Sequence, residues 1–183
     1  LSSSSAASDV YKRQVEALRS GELGSGTIRT SDAKETGNKF GAVGMDKDLM
    51  RKIYAINGTN VLVNDTKGIQ GLHETRELII EAFNEVCSKG PIADEPVQGM
   101  FVRLVDAKLH EDAIHRGPAQ TIPAVRNGIK GAMMRARTVI LEPMQKAFVS
   151  VPNDWLGQVT REVTNRRGII EDMPSEGEVT TCL

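Results

Sequence analysis

The chain has 183 residues, a formal net charge of −1, and 39% hydrophobic but only 4% aromatic residues. That length supports one or two domains with a real core, and the composition excludes wholesale disorder and collagen-like repeats. No apolar run approaches the roughly 18 residues of a membrane span. Cys87 and Cys182 cannot build a disulfide framework, lack zinc spacing and read as reduced thiols of a cytoplasmic protein. The scarcity of aromatics argues against a base-stacking sheet of the RNA-recognition type.

In chain order, Leu1–Ser8 is a Ser/Ala run without periodicity, and Asp9-Val10-Tyr11-Lys12-Arg13-Gln14 reads as translated adapter sequence. Residues 1–14 are therefore expected to be non-native. Val15–Arg19 can start a short helix, which Gly21, Gly24 and Gly26 stop. Ser25–Asn38 is polar and reads as a loop, so regular structure is expected to begin near Met45. Asp46 can cap a short helix through Arg51. Ile53–Ile56 and Val61–Val63 are β-prone runs around Asn57-Gly58, a dipeptide suited to a tight hairpin.

Leu72, Arg76, Ile79, Phe83 and Val86 recur at helical spacing, which predicts an amphipathic helix ended by Gly90 and Pro91. Val97–Leu109 reads as a strand with one buried face. Thr121 and Pro123 are expected to open a helix whose buried stripe is Ile122, Val125, Ile129 and Met133, with Arg126, Lys130 and Arg137 off that stripe. Val139–Leu141 can begin a strand that Pro143 interrupts. Lys146–Val151 reads as a strand, Pro152-Asn153-Asp154 as a turn with an N-cap, and Trp155, Val159 and Val163 as one face of a helix ended by Gly168. Ile169–Met173 is a further β-prone run. The last sixty residues thus read β-α-β and the whole chain α+β. The β-prone Val179–Leu183 ends without a turn, so the chain reads as a fragment.

Charge is unevenly distributed. Residues 101–140 carry seven Lys or Arg (Arg103, Lys108, Arg116, Arg126, Lys130, Arg135 and Arg137) against three acids, whereas residues 141–183 carry four against seven. A basic block inside a near-neutral chain suits either a polyanion-facing patch or a solvated helix face.

The segment His110-Glu111-Asp112-Ala113-Ile114-His115-Arg116-Gly117-Pro118-Ala119-Gln120 concentrates chemistry between the expected strand and helix. A metal or hydrolase site could use His110, Asp112 and His115, but their spacings do not share one strand face and no further Cys or His cluster supports it. A nucleophile with a His base lacks a Ser or Cys motif. A polyanion-contacting tip could use the bidentate fork of Arg116 and the free N–H groups that open the next helix. An ordinary polar connection also fits.

Leu104-Val105-Asp106-Ala107-Lys108-Leu109 leading into that segment, Gly90-Pro91-Ile92-Ala93-Asp94-Glu95-Pro96-Val97, Leu141-Glu142-Pro143 and Thr160-Arg161-Glu162 with Asn165-Arg166-Arg167-Gly168 stand in an order that closely resembles the archaeal-type elongation factor 2 family. The resemblance is good over about 45–179 and faint over 15–44; the Gly-Pro-Ala-Gln ending is archaeal, eukaryotic members carrying Gly-Gly-Gly-Gln. The family is a translational GTPase that moves tRNA and mRNA through the ribosome.

The resemblance implies that residues 15–141 are domain IV, similar to the second domain of ribosomal protein S5 and lacking its first strand, and that 142–183 begin a truncated, ferredoxin-like domain V. It places 110–120 at a tip entering the decoding site and makes His115 the histidine converted to diphthamide. His110, Asp112, Arg116, Gly117 and Gln120 join it as tip or RNA contacts, with Arg126 and Lys130 as a supporting basic surface. Arg137 departs from the family pattern and receives no role. The implied partners are the ribosome, tRNA and mRNA, and the diphthamide-synthesis enzymes, in the cytoplasm and without a membrane. No Gly-x-x-x-x-Gly-Lys-Ser/Thr loop is present, so this piece is expected to bind no cofactor and to have no catalytic or metal residues; GTP and Mg would belong to a nucleotide-binding half outside the chain. The rival readings are a stand-alone RNA-binding module on the S5-like fold and, behind it, a metal hydrolase.

Overall fold

The computed structural model describes residues 13–182, so most of the adapter-like 1–14 segment lies outside the described residues. The chain divides between Val139 and Ile140 into two compact units.

Regular structure in the first unit begins well before Met45. Residues 13–19 form a helix, α1. The expected loop over 25–38 instead contains a short strand, β1 (Gly26–Thr27), and much of a helix, α2 (Ala33–Ala42). The two-residue β1 is too short to show alternation. The core face of α2 is Thr36, Gly37 and Phe40, so only one of its three buried residues is a large apolar. Gly37 lets α2 approach the next helix, α3 (Lys47–Met50), where an added Cβ would lie 2.6 Å from Arg51 Cγ. Asp46 caps α3 as expected, accepting from the N–H groups of Asp48 and Leu49.

The strands β2 (Ile53–Asn57) and β3 (Asn60–Asn64) pair antiparallel. Their loop is Gly58-Thr59, one residue later than the Asn57-Gly58 reading, and only Gly58 takes a positive φ, +57°. Helix α4 spans Arg76–Ser88, preceded by a 3-10 turn over Leu72–Thr75. Arg76, a charge within the apolar stripe, lies 4.8 Å from the Tyr54 ring centroid and donates to Ile28 O.

The expected strand over 97–109 shrinks to β4 (Phe101–Leu104), which pairs parallel with β3 from Val61 to Asn64. Beyond Asn64 the partner strand ends, so Val105–Leu109 has no ladder to join. Before β4, Asn60 fixes the chain by donating to Val97 O and accepting from the N–H of Met100. The sheet order is β1-β2-β3-β4, and β3-α4-β4 forms the crossover that a parallel pair requires. Val61, Leu62 and Val63 are all buried because both sheet faces are covered. Val61 and Val63 pack with Leu18, Leu23, Phe40 and Met50, and Leu62 packs with Phe83, Val86, Ile129 and Met133.

Helix α5 (Pro118–Arg135) opens three residues earlier than expected, with Pro118 at its first position and Pro123 inside it. At its end Arg137 takes a left-handed position at φ +57°, and Thr138 N–H donates to Met133 O.

The second unit contains β5 (Val149–Pro152), α6 (Leu156–Asn165), β6 (Ser175–Glu176) and β7 (Val179–Cys182). Several expectations change here. Val139–Leu141 forms no strand, and β5 begins three residues later than Lys146. Asp154 does not cap α6; a 3-10 turn over Asn153–Trp155 leads into it, and Trp155 is exposed rather than on the packed face. Helix α6 ends in a Schellman motif whose left-handed residue is Arg167, while Gly168 supplies the N–H that reaches Val163 O. Ile169–Met173 is not a strand. The strand after the helix is β6, and β7 inserts between it and β5, giving the antiparallel order β5-β7-β6 of a split β-α-β unit.

Candidate contact tip

The candidate site is built where the chain leaves the sheet. Asp65 N–H holds Leu104 O at 2.8 Å, and the chain then runs without regular structure to a 3-10 turn over Ala113–Arg116. Asp112 organises that turn. Its carboxylate accepts from Ile114 N–H at 3.1 Å, its carbonyl accepts from His115 N–H at 3.2 Å, and its own N–H donates to His110 Nδ1 at 3.1 Å. The His110 and His115 rings meet edge to face, with centroids 4.5 Å apart and planes at 65°. Both rings and Ile114 are exposed, Ile114 at 80%.

Gly117 joins the turn to α5. It is the extended residue before Pro118, and its carbonyl accepts from Gln120 and Thr121 N–H. Gln120 folds back, so that a Cβ on Gly117 would lie 3.4 Å from Gln120 Oε1. Thr121 Oγ1 donates to Arg116 O at 3.0 Å, tying the first turn of the helix to the tip.

The expected basic surface is arranged differently. Arg116 turns inward: its side chain is only 15% exposed, Nη2 lies 3.1 Å from Glu74 Oε2, and its buried Nε has no partner. It passes over Gly71, where a Cβ would collide with Nη1. Arg126 binds Glu85 at 2.9 Å, and Lys130 reaches Gly90 O at 3.4 Å and Asp94 at 3.8 Å. Arg103 binds Asp65. Four of the block's seven cations therefore face acids from outside it, which sequence-local charge counting cannot reveal. Among the described residues, Lys108, Arg135 and Arg137 make no ion pair. The structure brings His110, Asp112 and His115 together, and it leaves Arg126 and Lys130 along the α4–α5 contact. Sequence reasoning missed Glu74 and Gly71, which hold Arg116; the only signal was their place in the 3-10 turn entrance before α4.

Among the described residues, no group of three or more His, Cys, Asp or Glu is placed to hold a metal ion, and no helix is long and apolar enough to cross a membrane. The first unit thus carries an outward turn held by its own hydrogen bonds.

Residues 26–137 match the family model for elongation factor G, domain IV, and residues 139–183 match that for the elongation factor G C-terminus. The chain belongs to the elongation factor G domain IV family. It is 51% identical over 169 residues to elongation factor 2 of Picrophilus torridus and 50% identical over 169 residues to that of Methanoregula boonei, in each case over 92% of this chain and 23% of the relative. It is 53% identical over 137 residues to elongation factor 2 of Methanococcus maripaludis, over 75% of this chain and 19% of the relative. The chain thus spans less than a quarter of the length of these relatives.

Proposed function

We propose that this chain is the part of an archaeal-type elongation factor 2 that enters the decoding site during GTP-driven translocation of tRNA and mRNA, working in the cytoplasm with the ribosome. In that reading the first unit has the S5-like fold of domain IV and the second is the start of a ferredoxin-like domain V. Its role is mechanical and electrostatic; GTP, Mg and the nucleotide chemistry belong to other domains.

The observation that carries the reading is the exposed turn at 110–115, held by Asp112 and ending on an outward His115. A rigid probe suits A-form RNA, whose shallow minor groove is read by shape and 2′-hydroxyls. His115 is the position proposed for conversion to diphthamide. Residues 106–115 carry Asp106, Glu111 and Asp112 against Lys108 alone. A cationic addition at His115 would offset this negative charge, which otherwise opposes approach to phosphates.

A tethered cleavage experiment tests the placement. Cys87 and Cys182 are buried, and burial pushes the Cys87 thiol up to about 12, so neither competes for a label in the native chain. A thiol introduced as Ile114→Cys in the complete factor and carrying an iron chelate should cleave RNA at the codon–anticodon helix above the background of the unsubstituted factor. Cleavage confined to ribosomal sites remote from decoding would overturn the placement.

A further inference from the structure

Within the tip, His110 has a specific geometry. Its Nδ1 accepts the N–H of Asp112 at 3.1 Å, which orients the ring. Its ring then lies at 65° to that of His115, with centroids 4.5 Å apart, an arrangement favoured between aromatic rings. The His115 backbone is held by the same residue through the carbonyl of Asp112. His115 is exposed, its side chain makes no hydrogen bond among the described residues, and the His110 ring packs edge to face against it.

We infer that His110 is a positioning residue for modification at His115: its ring, locked by Asp112 N–H, holds the His115 imidazole in one rotamer for the modifying enzyme. This rests on the reading of His115 as the modified residue. An unrestrained side chain divides among about three staggered χ1 wells. An enzyme that accepts one of them then meets a substrate about one-third competent, which raises the apparent KM about threefold and leaves kcat unchanged.

The test measures the first modification step on the complete factor with the diphthamide-forming enzymes, comparing the unsubstituted protein with His110→Ala and His110→Asn. Asparagine at 110 can still accept from Asp112 N–H in an Asx turn, so it keeps the loop shape and removes only the ring. Both variants should show kcat/KM lowered about threefold through KM. Wild-type kinetics in both would overturn the positioning role. Slow modification in His110→Ala with wild-type kinetics in His110→Asn would assign the effect to the turn and overturn the role of the ring. Failure to modify the unsubstituted factor, under conditions that modify a known family member, would overturn the reading of His115 and this inference with it.

Discussion

Arg116 Nη2 lies 3.1 Å from Glu74 Oε2, and this ion pair ties the tip turn to the 3-10 turn that opens α4. The pair is half-sheltered, with 15% of the Arg116 and 49% of the Glu74 side chain exposed. Gly71 makes room for it twice over: its φ is +77°, and a Cβ there would collide with Arg116 Nη1. Arg116 is thus the anchor of the tip.

Replacing Arg116 with Ala should therefore raise amide exchange across 113–117 while lowering global stability by only about 1 kcal/mol, because one partner is half exposed. Gly71→Ala should cost roughly 1–3 kcal/mol from the left-handed backbone and the collision together. In urea titrations the double variant should lose less than the sum of the two, since removing Arg116 removes the collision. Strict additivity would show that the two residues do not press on each other.

The paired state of the basic block changes the expected salt behaviour. Lys108 makes no ion pair among the described residues and lies close to the tip in sequence, whereas Arg126 is held by Glu85. Binding of the chain to structured RNA should weaken with salt, and Lys108→Ala should flatten the log–log slope by about one unit. Arg126→Ala should change it less. An equal effect of both substitutions would mean that the Arg126–Glu85 pair opens on binding.

The second unit should open more readily than the first. Its buried residues among those described are Thr180 and Cys182, while Ile169 and Phe148 stand 79% and 74% exposed. Native-state hydrogen exchange should show lower protection in β5, α6 and β7 than in β3 and α4. Equal protection in the two units would contradict this.

Asp65 links Lys52 and Arg103 at 3.1 and 2.5 Å, and these hydrogen bonds, Arg103 first, hold its carboxyl below the usual aspartate value of 3.8. A depressed folded-state value means that the unfolded chain takes up the proton first. The stabilisation is therefore complete above that ordinary value and is lost as pH falls through the lower, folded-state value. The stability difference between wild type and Asp65→Asn, measured by urea titration, should be flat near neutrality and shrink at acid pH. A difference that stays constant down to the acid limit would refute the ion-pair account.

Much of this architecture is legible from local pattern, because elements such as α4 and β3 bury continuous apolar stripes. What escapes pattern is what depends on distant partners. Helix α2 hides its core face in Thr36 and Gly37, and β4 ends where β3 ends rather than where its own β-prone residues do. The strand after α6 is the polar Ser175–Glu176, chosen by pairing with β7, while the more apolar 169–173 stays unpaired. At the tip, the chemistry of His110, Asp112 and His115 is readable from their types and spacing. The inward turn of Arg116 is not, because Glu74 and Gly71 lie more than forty residues away.

The most direct measurement of the central claim is mass mapping of the complete factor after treatment with the diphthamide-forming enzymes. Peptide fragmentation should place the added mass on His115, and His115→Ala should abolish it. Added mass on His110, or none on either histidine under conditions that modify a known family member, would contradict the assignment of this tip.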